Sequence, residues 1–318
     1  MANKVSVVMS VYNEPQNFVK KAIDSILSQT FKDFEFIIVC DNPQNIELYN
    51  FLLTVQKDDK RVKIIKNEVN IGLTKSLNKA IANAVGTYIA RMDADDISEK
   101  NRFEEQVKFL DGHPNVGVCG SQLNYIDEND NIIGQNLFPC EKKDFPYMII
   151  PFFGHPAVMI RKSCLLQLGT PYDEHFKYSQ DFSLWYRLDG VCGFYNLPMK
   201  LLSYRKSANQ IGQKKASEQR HFSEEIQLSY LKKISPTINV DWEHLDYQTV
   251  YEVGKIIRKF GISDEAVKMG FVSLCRRINY KKFKSLFSIY LNCNKFGLNI
   301  KDIMTITKQI VRKQIYIQ

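Results

Sequence analysis

The 318-residue sequence lacks any Cys-x-x-Cys pair, and its seven cysteines are odd in number. Structural zinc sites and disulfide frameworks depend on paired cysteines, so the pattern argues against both and favours reduced thiols in a cytosol. No stretch approaches the roughly 18 uncharged apolar residues that a membrane span needs. The first residues, MANKVSVVMSVYNE, run directly into a strand pattern. We therefore expect no signal peptide and a cytoplasmic protein.

The sequence also lacks a Gly-x-Gly-x-x-Gly motif after its first strand pattern, which argues against a dinucleotide-binding dehydrogenase. Internal repeats and low-complexity runs are missing as well. The net charge of +8 is unevenly placed, because the segment from Lys255 to Gln318 holds 14 Lys or Arg and 3 acidic residues. The basic excess therefore belongs to the C-terminal segment, and the remainder of the chain carries no charge signal for a nucleic-acid partner.

Apolar, β-branched runs alternate with helical patterns in the first third of the chain. Because such alternation is typical of parallel sheets with helices on both faces, we predict an α/β fold with a mixed, mostly parallel sheet. Ser98 is the predicted N-cap of a helix whose inward face includes Phe103 and Leu110. The predicted strands are Val5–Val11, Phe34–Val39, Val62–Ile65, Thr87–Met92 and Ala157–Ile160, with a hairpin tip at Asp127–Asn131 and a helix beginning near Asp181.

Polar clusters follow three of these strands, at Tyr12-Asn13-Glu14, at Asp41-Asn42 and at Asp93-Ala94-Asp95-Asp96. Ligands of open α/β sheets bind beyond the carboxyl ends of the strands, so we expect the three clusters to meet in one crevice. The crowded carboxylates of the third cluster repel one another, and a divalent cation would offset that repulsion. A solvated turn is the alternative interpretation. An EF-hand fits poorly, because Ile97 and Ser98 stand where that loop needs other residues.

Five motifs in order carry a family resemblance: VSVVMSVYNE, CDN, NIGLTKSLN, ARMDADD and SQDFSLWYRL. Together they closely resemble the family-2 glycosyltransferases with the GT-A fold, and the resemblance runs from about Val5 to Arg205. It implies a UDP-sugar donor, a glycan or lipid-linked saccharide acceptor, and Mn²⁺ or Mg²⁺ as cofactor. The Gln-x-x-Arg-Trp signature of processive synthases is absent, so the resemblance implies transfer of one sugar per encounter.

The resemblance also assigns roles to individual residues. Asp41 corresponds to the carboxylate that accepts a hydrogen bond from uracil, Asp93 to a residue near the ribose, and Asp95 to the metal ligand. Asp181 corresponds to the catalytic base of an inverting transfer; a helix N-cap is the alternative. The nucleotide-sugar residues are then Tyr12, Glu14, Asp41, Asn70, Gly72, Lys75, Arg91, Asp93 and Arg205, and the acceptor residues are His155 and Trp185. Structural hydrogen bonding by His155 and packing by Trp185 are the alternatives for that last pair.

Two departures from the family pattern concern residues that contact the diphosphate or the metal in many relatives. Leu77 replaces an arginine that many relatives carry, and Lys75 or Lys79 could compensate for it. Ser207 replaces a histidine that binds metal or diphosphate in many relatives, whereas Arg205 is retained and could grip a phosphate as a fork. We therefore expect a weaker metal site than in those relatives.

We predict a catalytic domain over residues 1–207, with a nucleotide-sugar half at about 1–97 and an acceptor half at about 98–207. Residues 208–318 are predicted to form a helical, basic region. Its cluster of Arg276, Arg277, Lys281, Lys282 and Lys284 is followed by Phe283, Leu286, Phe287 and Tyr290 at helical spacing. Such a helix could dock on an anionic membrane at the inner face of the plasma membrane, or pack on the catalytic domain or a second subunit as a homo-oligomer.

Two rival functions stay open on sequence grounds. A non-catalytic nucleotide-sugar-binding subunit would be favoured by loss of Asp95 or Asp181, yet both are present. A metal-dependent nuclease or phosphatase would need more carboxylates or histidines in the crevice than the sequence offers.

Overall fold

A computed structural model describes residues 4–144, 147–207, 215–245 and 247–275. The chain divides into two compact units, the first comprising residues 1–140 and 153–222 and the second comprising residues 141–152 and 223–318. The domain boundary that the sequence predicts after residue 207 lies beside residues that the structure does not describe. That boundary therefore stays a prediction.

The first unit is an α/β body whose elements follow in chain order. Its strands are β1 (Val5–Val11), β2 (Phe34–Cys40), β3 (Val62–Lys66), β4 (Tyr88–Arg91), β5 (Ile97–Ser98), β6 (Val116–Ile126), β7 (Ile132–Asn136), β8 (Met159–Arg161) and β9 (Gly193–Arg205). Its helices are α1 (Gln16–Leu27), α2 (Ile46–Asp58), α3 (Leu73–Ala82), α4 (Arg102–Gly112), α5 (Lys162–Leu166) and α6 (Gln180–Leu188), and α7 (Ala216–Ile234) begins in this unit.

Within the described residues these strands form a single mixed sheet in the order β3-β2-β1-β4-β8-β6-β9-β5, with β7 paired to β6. The strands β3, β2, β1 and β4 run parallel, and β8 enters antiparallel to both of its neighbours. Val7, Phe36 and Ala90 lie side by side in register and are fully buried. Parallel strands with both faces covered read as continuous apolar runs, which is why the sequence predicts them well.

The predicted start of the fourth helix at Ser98 is wrong. Ser98 belongs to β5, where it pairs with Leu202 of β9 and its backbone N–H donates to Ser25 Oγ at 3.0 Å. Helix α4 begins only at Arg102, after Asn101. A short tertiary strand pairing therefore replaces the local capping that the serine suggests.

The region after Val116 holds two long strands that the sequence analysis does not predict. β6 and β9 pair in parallel over most of their length, and register shifts fall next to Gln122. Pro198 and the polar residues around it interrupt the apolar pattern of β9, so its sequence lacks clean alternation. The predicted hairpin tip at Asp127–Asn131 is confirmed, because it joins β6 to β7.

The second unit is helical among its described residues. It holds the rest of α7, then α8 (Tyr247–Arg258) and α9 (Asp264–Cys275). Tyr147, Tyr230 and Phe260 pack edge to face, with ring centroids 6.0 to 6.4 Å apart. Gln227 also donates its side-chain amide to the carbonyl of Ile149 at 2.7 Å. The predicted helical character of this part of the chain is therefore confirmed as far as residue 275.

The basic cluster between Arg276 and Lys284, and the apolar residues after it, lie outside the described residues. The predicted docking on a membrane or on a second subunit therefore stays a prediction. In the described part of the chain, no helix combines the length and apolarity needed to cross a bilayer.

Candidate active site

The polar clusters after β1, β2 and β4 lie at neighbouring strand ends, as predicted. The register pairs Val11 with Cys40, and the backbone N–H of Asp41 donates to the carbonyl of Val11 at 2.8 Å. Asn42 donates its side-chain amide to Asn13 at 2.6 Å. The topology of parallel strands thus brings residues about 30 positions apart to one edge of the sheet.

Asp41 anchors a loop that leads into α3. Its Oδ1 accepts hydrogen bonds from the side-chain amide of Asn67 at 2.8 Å and from the backbone N–H of Ile71 at 2.9 Å. Its Oδ2 accepts one from the backbone N–H of Gly72 at 2.9 Å. Gly72 has φ of +84°, a conformation that favours glycine. A carboxylate has about four acceptor positions, so Oδ2 keeps capacity for one further donor.

Asn67 is a site residue that the sequence analysis missed. It is buried, donates to Asp41 and to Ser76 Oγ, and accepts from the ammonium of Lys79 at 2.8 Å. Lys79 is therefore held beside Asn67. Lys75 is exposed and lies 3.9 Å from a carboxylate oxygen of Glu174. Asn70 lies in the loop that Asp41 anchors, and its side chain is exposed. Its position alone does not distinguish a nucleotide-binding residue from a solvated loop residue.

The acidic cluster after β4 comprises Asp93, Asp95 and Asp96, whose nearest carboxylate oxygens lie within 4.8 Å of one another. Asp96 is fully buried, and its Oδ1 accepts from the backbone N–H of Arg205 at 2.8 Å. Its Oδ2 has no hydrogen-bond partner among the described residues. Burial, with the charges of Asp95 and Asp93, raises the pKa of Asp96 well above its usual range.

These residues fit a divalent cation. A buried carboxylate oxygen without a donor is costly, and a cation would offset both that cost and the mutual repulsion of three carboxylates. The donor set is all oxygen, which suits Mg²⁺ or Mn²⁺. The resemblance implies Asp95 alone as the metal ligand, and the structure adds Asp93 and Asp96 as candidates.

Arg205 holds this acidic loop from within the protein. Its side chain is 0% exposed; Nε donates to the carbonyl of Asp95 and Nη1 to that of Asp127, both at 2.7 Å. Nη2 lies 2.6 Å from Asp130, and the guanidinium packs 4.2 Å from the ring centroid of Phe18. All three guanidinium nitrogens are engaged by the chain. The diphosphate contact expected of Arg205 is therefore not supported by its placement, and the residue acts on the loop instead.

Glu14 faces the acidic cluster from the end of β1. Burial raises its pKa to about 7, the charges of Asp95 and Asp93 add to the rise, and a 2.7 Å hydrogen bond from the backbone N–H of Tyr12 opposes it. The Tyr12 side chain is 43% exposed. An exposed aromatic ring is thus available at the strand end where the resemblance expects the nucleoside.

Arg91 is a second buried cation of the site. Its guanidinium is ion-paired with Asp93, and its side chain is 2% exposed. The Nε of Arg91 has no hydrogen-bond partner among the residues that the structure describes. Arg91 is close enough for its charge to act on the pKa values of both Asp181 and His155. It therefore links the acidic cluster to the predicted base.

Asp181 lies in the first turn of α6. The residue at the N-cap is Ser179, in the left-handed region at φ 60°, so the alternative that Asp181 is the cap is wrong. Burial raises the pKa of Asp181, while a hydrogen bond from the backbone N–H of Phe182 and the charge of Arg91 oppose the rise. A carboxylate with a raised pKa beside an acidic cluster is suited to accept a proton.

His155 and Trp185, the residues expected to contact the acceptor, are buried. Trp185 is 2% exposed and packs edge to face on Phe153 with centroids 4.9 Å apart. His155 Nε2 lies 2.6 Å from the hydroxyl of Tyr172, and burial together with the charge of Arg91 holds its pKa well below the usual range. The alternatives therefore fit the structure: Trp185 packs in the core, and His155 makes a structural hydrogen bond.

Asn78 ties α3 to the segment before Asp181. Its amide donates to the carbonyl of Tyr172 and its oxygen accepts from the backbone N–H of Tyr172, both at 2.8 Å. Thr74 Oγ1 donates to the carbonyl of Phe176 at 3.2 Å. The sequence gives no sign of this contact, because the partner of Asn78 lies 94 residues away.

A protein-family model described as "Glycosyl transferase family 2" matches residues 6–169. The chain belongs to this family. The matched range covers β1 to α5, and so includes Asp41, Arg91 and the acidic cluster, whereas Asp181 and Arg205 lie beyond it. The predicted family membership is confirmed.

Two proteins similar to this chain are glycosyltransferases. The chain is 43% identical to an uncharacterised glycosyltransferase of Methanocaldococcus jannaschii over 188 residues, which make up 58% of this chain and 63% of that protein. It is 34% identical over 207 residues to WbnJ of Escherichia coli, an O-antigen biosynthesis glycosyltransferase, covering 63% of this chain and 79% of WbnJ.

A solved structure shares the fold of this family-2 chain. Residues 1–349 of TarS of S. aureus, crystallised with UDP-GlcNAc, superpose with a TM-score of 0.56 over 97% of this chain and 81% of that TarS 1–349 chain. The sequences are 15% identical, so the likeness shows the fold. The predicted GT-A fold is confirmed.

Proposed function

We propose that this family-2 glycosyltransferase is an inverting, non-processive enzyme that moves one sugar from a UDP-sugar to a hydroxyl of a glycan or lipid-linked oligosaccharide. The observation that carries the proposal is the buried, donorless Oδ2 of Asp96 within the acidic cluster, in the same charge network as Asp181. A cation-binding cluster and a raised-pKa carboxylate are the two parts that such a transfer needs. The UDP-GlcNAc complex of TarS supports the donor class.

The nucleoside of the donor would be bound at the ends of β1 and β2. Asp41 is the acceptor for the uracil N–H, since its Oδ2 keeps capacity after binding Gly72. Tyr12 offers an exposed ring at the end of β1, and Asp93 would contact the ribose. Because Asp41 also fixes the loop before α3, nucleotide recognition and loop order depend on the same carboxylate.

Asp95, with Asp93 and Asp96, would hold Mn²⁺ or Mg²⁺. When bound, the cation neutralises diphosphate charge and so makes UDP a better leaving group. The buried Arg205 keeps the loop in place from behind through the carbonyl of Asp95.

Asp181 performs the proton transfer in this proposal. The acceptor oxygen forms a bond to the anomeric carbon, the bond from that carbon to the UDP oxygen breaks, and the acceptor's proton passes to the Asp181 carboxylate. One displacement inverts the anomeric configuration. The raised pKa of Asp181 makes its carboxylate a stronger base than an ordinary aspartate.

The setting proposed for this reaction is surface-polysaccharide assembly at the cytoplasmic face of a membrane. The similarity to WbnJ, an O-antigen biosynthesis glycosyltransferase, supports the acceptor class. The basic cluster between Arg276 and Lys284 would attract an anionic surface.

A screen of UDP-sugars for slow donor hydrolysis, with Mn²⁺ and without acceptor, tests the proposal. We expect one UDP-sugar to release UDP faster than its spontaneous rate, and that release to stop in EDTA. UDP binding with no turnover of any UDP-sugar, alone or with glycan acceptors, would instead identify a non-catalytic nucleotide-sugar-binding subunit. Failure to bind UDP at all would exclude both functions.

A further inference from the structure

Three aromatic rings meet just ahead of Asp181. The centroids of His175 and Phe176 lie 4.9 Å apart, those of Phe176 and Phe222 lie 5.8 Å apart, and those of His175 and Phe222 lie 5.9 Å apart. All three contacts are edge to face. We call His175, Phe176 and Phe222 the aromatic shelf.

The aromatic shelf is only partly covered by protein. His175 is exposed, and both phenylalanines are half-buried. By contrast, Phe182 on the neighbouring helix α6 is only 1% exposed. The shelf therefore leaves aromatic surface in contact with solvent.

The backbone on both sides of the aromatic shelf is fixed. The carbonyl of Phe176 accepts from Thr74 of α3 at 3.2 Å. Ser179 Oγ donates to the carbonyl of Gln219 in α7 at 3.0 Å, and Phe222 follows Gln219 by three positions, hence on the same side of that helix. The strained, left-handed Ser179 persists because these contacts hold it. The shelf is therefore held in a constant relation to the helix that carries Asp181.

We propose that the aromatic shelf binds a pyranose ring of the acceptor. This inference rests on the proposed function, since the acceptor hydroxyl must come within hydrogen-bond reach of Asp181 and Phe176 precedes that residue by five positions. Pyranose rings present C–H groups on their faces, which pack on aromatic rings, and hydroxyls at their edges, which an imidazole can bond. Ligand sites combine apolar and aromatic walls with a few polar groups, and the shelf has both.

The ends of β1, β2 and β4 already account for the donor, so the shelf serves the other substrate. His155 and Trp185, the acceptor residues that the sequence suggested, are buried and cannot offer such a surface. In this proposal the shelf binds the acceptor instead, with His175 and Phe176 before α6 and Phe222 after it.

Saturation-transfer difference NMR on the full chain tests the proposal, with the methyl glycosides of glucose, galactose and N-acetylglucosamine as probes. We expect signals from the ring C–H protons of at least one glycoside with the wild type, and about fivefold weaker signals with Phe176→Leu and with Phe222→Leu. Phe109→Leu is the matched control, because Phe109 is another half-buried ring, stacked on Tyr195 at 4.6 Å. It should leave the signals unchanged.

Absence of ring signals from all three glycosides with the wild type would overturn the proposal, as would undiminished signals in both leucine variants. Should a leucine variant fail to fold, His175→Ala replaces it, since the exposed imidazole can be removed without opening the core. Weaker signals with His175→Ala support the shelf, and unchanged signals overturn it. UDP titration of the same samples tests the proposed function separately. If the wild type does not bind UDP, the proposed function is refuted, whereas the sugar signals alone decide whether the shelf binds the acceptor.

Discussion

Replacing Arg205 by lysine separates a structural role from a substrate-binding role. The guanidinium bonds to the carbonyls of Asp95 and Asp127 and pairs with Asp130, from a position with no exposed surface. A lysine ammonium cannot reproduce the fork, because it offers one nitrogen in place of three. Two of the three contacts are therefore lost, and the loop that carries Asp95 loses its internal support.

The expected magnitude follows from burial. Breaking a buried ion pair and its hydrogen bonds typically costs about 3–5 kcal/mol. Asp130 keeps its ion pair with Lys21, and the substituted ammonium keeps one contact, so we expect the lower end, about 3 kcal/mol. For a unit of this size that corresponds to a fall in Tm of roughly 6–12 °C.

Thermal unfolding followed by circular dichroism, in EDTA and without nucleotide, measures the loss. Arg61→Lys is the control: its pair with Asp59 is partly exposed, so we expect a cost of about 1 kcal/mol or less. An Arg205→Lys protein that keeps the wild-type Tm but binds UDP tenfold more weakly would refute this reasoning. It would show that the guanidinium faces the diphosphate after all.

Three further predictions concern the metal, the pH response and the basic segment. Asp95→Asn should abolish UDP release from the donor and remove stabilisation by Mn²⁺ in a thermal-shift assay; undiminished turnover, or activity that survives EDTA, would contradict it. Glu14 has a folded-state pKa raised to about 7, so its contribution to stability is present below pH 4.5 and is lost as the pH rises to 7. In EDTA, the unfolding free energy of Glu14→Gln should therefore change less with pH across that window than that of the wild type. The same pH dependence in both proteins would contradict the raised pKa. The protein should sediment with anionic liposomes at low salt and be released at high salt, whereas a protein that stays in the supernatant would exclude membrane docking by the basic cluster.

The parts of the site that the sequence predicts are those fixed by local pattern. β1, β2 and β4 are apolar runs that end in polar clusters, so Asp41 and Asp93 could be placed at one edge of the sheet from strand direction alone. Asn67 could have been recognised, because an asparagine just before the NIGLTKSLN motif follows directly on β3.

The parts that the sequence does not predict depend on partners far apart in the chain. Arg205 engages Asp95 and Asp127, at 110 and 78 residues' separation, and nothing near Arg205 indicates that it is buried. The same holds for Asn78 and Tyr172. The resemblance implies acceptor contacts for His155 and Trp185, but a motif does not indicate whether a side chain faces solvent or the core, and both side chains are buried.

The central claim is that Asp181 is the base of a transfer from a UDP-sugar, and one comparison tests it most directly. Asp181→Asn keeps the shape of the side chain but cannot take the acceptor's proton, so we predict at least a thousandfold loss of kcat with a nearly unchanged Kd for UDP. Asp189→Asn, at the other end of the same helix, should retain activity. An Asp181→Asn enzyme that keeps most of its kcat, with the UDP-sugar and acceptor that the wild type uses, would contradict the account.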